Sequence, residues 1–289
     1  MQNLIEYIFF ILFSFLVRVA GLNFSRKGSV ILALVFFYLI PIRKKTVIEN
    51  LSLSFPDFSR QKINKIAFIC YRSFAITLIE ILAIPWLSKN EMEKMIQCEN
   101  AHFIKEKHDE GKGVILLSAH FGNWEYIALS VSLQIGIPFY VVIKPQRNPY
   151  VTRWLEEVRT KWINKVIQSG ISIRQVYKEI LNKNIVAMVA DQRGPSDGLK
   201  LDFMGRQALF FTGPAVLAVK TGAPVLYGIP VRQKDYSYRA KIVEISKENL
   251  PEDEKGKVTE ITIRLKEHLE GFIREFPEQW FWMHKRWKC

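Results

Sequence analysis

Beyond residue 45 this chain alternates short apolar runs with helix-like stretches, and no other feature constrains its fold as tightly. The apolar runs fall at 114–118, 139–143, 185–190, 225–230 and 239–246. Each has the length of a strand, and the first is apolar from Val114 to Leu117, the mark of a strand buried on both faces. Between them lie helical stretches around 126–134, 150–163, 173–181 and 213–221. A longer one at 58–83 is stopped by Pro85, and 257–276 is a long amphipathic candidate. Strands alternating with helices predict an α/β domain, a sheet whose faces the helices cover. With no internal repeat and no low-complexity linker, residues 46–289 read as one domain.

Residues 1–45 read differently, as a membrane-directed segment. The stretch 4–22 has Ile8-Phe9-Phe10-Ile11-Leu12-Phe13 at its heart, and only Glu6 and Arg18 carry charge. Its length just suffices to span a bilayer. No positive region precedes it and no small-residue cleavage site follows, which disfavours a cleaved signal. A second stretch, 30–42, is short for a span and ends in Arg43-Lys44-Lys45. Arg18, Arg26 and Lys27 already sit at or after the end of the first stretch. Two spans would therefore leave one basic cluster on the wrong side of the positive-inside rule. The expectation is one anchoring helix followed by an interfacial helix, with a buried core helix as the alternative.

Lysine and arginine number 41 against 28 acids, a net charge of +13 that points to an anionic partner. The 7 Trp, 20 Phe and 10 Tyr favour a membrane surface, because aromatics and cations gather at bilayer interfaces. Neither a basic arm nor a nucleic-acid-binding module is visible, so nucleic acid is not the expected partner. Cys70, Cys98 and Cys289 make no Cys-x-x-Cys pair, which excludes a disulfide framework and fits a reducing compartment.

The residues best placed for chemistry are His120-Phe121-Gly122-Asn123-Trp124-Glu125. His120 follows the strand 114–118, Phe121-Gly122-Asn123 suits a turn, and a helix begins at Trp124. A side chain at a strand tip faces one in the first helical turn, so His120 and Glu125 are expected to hydrogen-bond. The carboxylate would then fix the imidazole as a base. A partly buried histidine at a strand end is the plainer alternative. Asp191-Gln192-Arg193-Gly194-Pro195 again follows a strand, at the end where open α/β sheets bind ligands. Asp191 either orients a polar substrate there or caps a turn. Backbone amides near Gly122-Asn123, or Arg193, are candidate donors to an oxyanion.

Thr212 is a candidate cap for a helix whose positive end faces an anion, with Arg206, Arg193 and Lys200 as possible phosphate ligands. Arg159 lies on a stretch that also bears Trp154 and Trp162, a face more often structural than catalytic. Residues 279–288 set Trp280, Trp282 and Trp287 among cations, to sit at a headgroup layer or to dock on the core. One His and one Glu do not complete a metal-ligand set, so neither metal nor cofactor is expected. Ser118 is an alternative nucleophile for a two-step route.

Together these segments resemble the bacterial lauroyl/myristoyl acyltransferases of late lipid A biosynthesis. The matching pieces are the apolar N-terminus, Asn50-Leu51 with Phe55-Pro56, His120 to Glu125, Asp191-Gln192-Arg193-Gly194, Pro277-Glu278-Gln279-Trp280 and His284-Lys285-Arg286-Trp287. They cover nearly the whole chain in order. The resemblance implies a glycerolipid-acyltransferase-like α/β fold, a mixed sheet flanked by helices behind an N-terminal membrane-anchoring helix. It implies an inner-membrane enzyme facing the cytoplasm that moves a fatty acyl chain from acyl carrier protein or coenzyme A to a glycolipid hydroxyl. In that frame His120 and Glu125 are the expected catalytic pair, and Asn123, Arg159, Asp191, Arg193 and Arg206 the expected substrate contacts. A non-catalytic lipid-binding protein, or a membrane-anchored lipid hydrolase, would use the same surface differently.

Overall fold

The computed structural model describes residues 1–168 and 173–287; Lys288 and Cys289 lie outside the described residues. In chain order the helices are α1 (Gln2–Ala20), α2 (Leu22–Leu34), α3 (Lys44–Ser54), α4 (Arg60–Ala83), α5 (Lys89–Glu93), α6 (Ala101–Asp109), α7 (Trp124–Ile135), α8 (Pro149–Arg159), α9 (Ile173–Leu181), α10 (Gly213–Thr221) and α11 (Glu254–Glu275). The strands are β1 (Ile96–Cys98), β2 (Val114–Ser118), β3 (Phe139–Ile143), β4 (Lys165–Gln168), β5 (Ile185–Val189), β6 (Leu199–Phe203), β7 (Arg206–Phe210), β8 (Val225–Gly228), β9 (Val231–Arg232), β10 (Tyr238–Ala240) and β11 (Ile242–Glu244). The fold is the expected mixed α/β arrangement.

The central sheet has the order β11-β8-β2-β5-β3-β4, parallel except for β11 at one edge. Val114, Ile115, Leu116 and Leu117 of β2 are all buried because both faces of the sheet are covered. Alternation of side chains splits the core in two. Ile115 and Leu117 pack with α3, α9, α10 and α11 on one face. Val114 and Leu116 pack with α6, α7 and α8 on the other.

Three expectations are corrected. The run 239–246 is two strands in two sheets: β10 pairs with β1 and β9, while β11 returns to the edge of β8. Asn100 pins the switch, its side chain bonded to both the carbonyl and the amide of Ile242 at 2.7 and 2.8 Å. The helix expected over 150–163 stops at Arg159, and β4 follows as an unanticipated edge strand. Here Asn164 turns the chain by accepting from the Phe139 amide and donating to the Ala128 carbonyl.

The third correction concerns the second apolar segment. A break at Gly21, φ +80°, ends α1; α2 starts at once and continues through a π-helical turn at Val35–Leu39. The segment is thus longer than the interfacial helix expected at 30–42. Arg26 does not mark its boundary: it lies buried inside α2, 2.8 Å from Glu80 of α4. By length and composition Gln2–Ala20, Leu22–Leu39 and Arg60–Trp86 are each apolar enough to cross a membrane, and the third is largely buried within the protein.

Candidate active site

β2 and β5 lie side by side in parallel, with Ser118 opposite Val189. His120 and Asp191 each follow two residues beyond that pair, so the register delivers them together at the carboxyl ends of the strands. Asp191 Oδ1 lies 2.7 Å from His120 Nδ1. Its other oxygen accepts from the His120 amide at 2.9 Å and from the Trp280 indole at 2.8 Å. Burial alone would pull the imidazole pKa down, but the Asp191 carboxylate outweighs it and holds His120 above its ordinary 6.5. Burial likewise pushes the Asp191 carboxyl up, and the facing imidazole with the Trp280 N–H holds it below the usual carboxylate value. Nδ1 is thereby engaged and Nε2 is left toward a cavity, with the Gln192 amide 3.4 Å away.

This corrects the expected partner of His120. The carboxylate bonded to the imidazole is Asp191. Glu125, in the first turn of α7, is gripped by Arg159 at the end of α8 through two bonds of 2.8 and 2.5 Å. Burial raises the Glu125 pKa, and the guanidinium more than reverses that, so the pair is ionised. Both residues line the same cavity as His120. Removing either partner would strand a buried charge, a loss of about 3–5 kcal/mol.

The cavity has a volume of about 960 Å³. Its lining combines polar side chains, among them His120, Glu125, Lys144, Arg147, Arg159, Gln192 and Arg193, with apolar ones such as Leu78, Ile81, Leu116, Ile127, Val141 and Leu155. A large pocket lined by apolar side chains with polar groups among them is the ordinary form of a small-molecule site. Ser118 also lines it, but its Oγ has no hydrogen-bond partner among the described residues, so no base activates it. Among the described residues no group of three His, Cys, Asp or Glu converges as a metal site would require.

Three expected substrate residues do not line the cavity, Asp191 among them because His120 and Trp280 take up both its oxygens. Asn123 is fully buried and caps α7, accepting from the Glu125 and Tyr126 amides while its amide donates to Glu80. A helix N-terminus needs such an acceptor for its free N–H groups, and that need consumes the side chain. Arg206 stacks on Trp287 at 3.8 Å, away from the cavity lining. The Gly122 amide, a candidate oxyanion donor, is spent on the Gln279 carbonyl. Thr212 makes no side-chain cap to α10.

What sequence reasoning missed is the C-terminal clamp. The Phe281 amide donates to the His120 carbonyl, Phe121 pairs with Trp280, and Gly122 donates to Gln279. Gly122 is obligatory there: its φ is +52°, and a Cβ would sit 2.1 Å from the Pro230 carbonyl oxygen. Beneath the loop, fully buried Glu80 collects Arg26, Asn123 and Tyr238. That network ties α2 and α4 to the N-terminus of α7. The Pro277-to-Trp287 motif was visible in the sequence, but nothing local linked it to His120.

Residues 1–289 match the family model for bacterial lipid A biosynthesis acyltransferases. Among curated relatives, a lipid A biosynthesis palmitoleoyltransferase of Escherichia coli (strain K12) is 23% identical over 248 residues, 85% of this chain and 79% of that protein. A lipid A biosynthesis lauroyltransferase of the same organism is 24% identical over the same span and shares. A phosphatidylinositol mannoside acyltransferase of Mycolicibacterium smegmatis is 23% identical over 221 residues, 74% of this chain and 70% of that protein.

Proposed function

We propose, from the premise that the chain belongs to the bacterial lipid A biosynthesis acyltransferase family and is an acyltransferase, that it moves a fatty acyl chain directly from a thioester to a glycolipid hydroxyl, with His120 as the base. The observation that carries this reading is an imidazole held by Asp191 through Nδ1 that lines a large, mainly apolar cavity, with only the Gln192 amide near its Nε2 among the described residues. The acceptor hydroxyl gives its proton to Nε2 as its oxygen attacks the thioester carbonyl. The tetrahedral intermediate then collapses, the carbon–sulfur bond breaks, and the imidazolium returns the proton to the departing thiolate. Gln192, whose amide lies 3.4 Å from His120 Nε2, and the adjoining Arg193 both line the cavity and are the donors for the oxyanion on this reading. Glu125 and Arg159, as a closed ion pair, shape the polar wall.

The donor on this reading is acyl carrier protein or acyl-coenzyme A, and the acceptor a lipid A precursor. An acidic carrier protein suits a chain of net charge +13, and its apparent KM should rise with salt. Residues 1–39 expose Ile8, Phe9, Phe15, Val19, Phe24 and Leu39, and these hold the enzyme on the inner membrane with the catalytic body on the cytoplasmic side. Protease added to intact spheroplasts should leave the body uncut; cleavage there overturns the topology.

The test of the chemistry is His120→Ala in full-length, membrane-reconstituted protein, assayed with a labelled acyl thioester and a lipid A precursor. Transfer should fall by about 100- to 10,000-fold with the fold intact by circular dichroism. Turnover near the wild-type rate would overturn the mechanism. Release of free fatty acid at an equal rate with and without acceptor would identify a hydrolase instead.

A further inference from the structure

The membrane-directed helix is also a wall of the cavity, and this inference rests on the acyl-transfer reading above. Phe10 of α1 lines the cavity together with Leu78 and Ile81 of α4, Ile127 of α7 and Leu155 of α8. The ring is half-buried and meets the buried Trp154 of α8 edge-on, 4.8 Å between centroids. Its neighbour Phe9 faces the other way and is 66% exposed. One helix thus carries two apolar faces, one turned out and one turned into the site.

A helix that served only to hold the protein at a bilayer would need no fixed rotation against the body. Here the rotation is fixed by directional contacts. The Ser14 hydroxyl donates to the Leu82 carbonyl at 2.7 Å, and Asn148, the cap of α8, donates to the Asn3 carbonyl at 2.8 Å. Arg147 pairs with Glu6 at 2.8 Å, and Tyr7 stacks on Tyr150 at 5.6 Å. Ser14 thus ties α1 to α4, the contacts of Arg147, Asn148 and Tyr150 latch one end of α8 to α1, and the other end of α8 holds Glu125 through Arg159. The same helix therefore runs from α1 to the Glu125–Arg159 pair that lines the cavity.

We propose that Phe10 bounds the acyl-binding part of the cavity and sets the longest fatty acyl chain the enzyme transfers. Relatives of nearly equal identity carry the names lauroyltransferase and palmitoleoyltransferase, so family membership leaves chain length to the cavity wall. A methylene more or fewer in an apolar pocket is worth about 10- to 200-fold in discrimination. An aromatic ring at the boundary is large on that scale.

The experiment compares kcat/KM for lauroyl, myristoyl and palmitoyl thioesters in full-length enzyme reconstituted in phospholipid vesicles. Phe10→Ala should move the preference to the longer donor by about tenfold or more, and Phe10→Trp should move it to the shorter. Phe9→Ala, on the outward face, should leave the ratios as in wild type. Phe10→Leu covers the case in which Phe10→Ala fails to fold, with a smaller shift in the same direction. Unchanged ratios in active Phe10 variants overturn the inference while leaving acyl transfer standing. A wild-type enzyme that transfers none of the three donors overturns the functional reading itself, and the inference with it.

Discussion

The two ends of this chain are both rich in aromatic residues and cations, and the structure treats them in opposite ways. At the N-terminus Ile8, Phe9, Phe15, Val19 and Phe24 stand about half or more exposed. At the C-terminus Trp280 and Trp282 are buried and Arg286 is sealed completely. The difference lies in what the polar atoms find. Each C-terminal indole N–H has an acceptor: Asp191 for Trp280, the Pro277 carbonyl for Trp282 and the Phe203 carbonyl for Trp287. A tryptophan whose N–H is satisfied inside loses nothing by leaving the interface. Arg286 follows, its ring-facing guanidinium 4.1 Å from Phe210 and 5.0 Å from Phe203. The N-terminal helices offer mostly phenylalanine and aliphatic side chains, which need a dry partner of any kind rather than a particular acceptor. One end therefore leaves its apolar side chains exposed, as the proposed membrane contact requires, and the other packs behind the candidate active site.

The sharpest way to break this contrast is at the residue that the C-terminal segment holds. Asp191→Asn keeps the shape and removes the charge, and kcat should fall by about 100- to 10,000-fold. The same variant has a signature in pH. Because Asp191 raises the His120 pKa, and the proposed base acts in its neutral form, wild-type kcat/KM should fall as pH drops through a value above 6.5. In Asp191→Asn that acid limb should move to lower pH. A limb that stays put would separate Asp191 from the titration of His120.

Trp280→Phe tests the clamp itself, since it keeps the ring and deletes the N–H. A hydrogen bond to a charged group is worth about 1.5–3 kcal/mol, which converts to roughly 10- to 150-fold in kcat. KM should change little. Combined with Asp191→Asn, the second substitution should add almost nothing, because both act through one carboxylate. Full additivity would mean that the tryptophan matters only for packing.

Arg286→Met probes how the C-terminal end tolerates its buried cation. Nε and Nη2 of Arg286 have no hydrogen-bond partner among the described residues, and burial depresses its pKa to about 10. Replacing such a group by an apolar side chain of similar length should be neutral or stabilising by about 1–4 kcal/mol in denaturant unfolding. A large destabilisation would show that the aromatic cage depends on the charge. The smallest effect belongs to the other end: Phe9→Ser should change unfolding of the body by less than about 0.5 kcal/mol while weakening vesicle binding.

Local pattern was enough to place much of the scaffold. The bounds of β2, β3, α9 and α10 follow from residues within each segment, because a buried strand or helix needs only its own apolar run and its own terminators. The same locality put His120 at a strand tip and Asp191 beyond another. Which carboxylate would face the imidazole depended on strand order. β2 neighbours β5, and no residue within either strand encodes that adjacency. Tertiary structure alone brought Arg159 to Glu125, spent Asn123 on a helix cap, sent Arg206 to Trp287, set Trp280 behind Asp191 and turned Phe10 into the cavity. Periodicity records whether a side chain is buried; what it is buried against is a property of chain segments far apart in sequence, fixed when the sheet closes its order and the two ends of the chain find the surfaces that satisfy them.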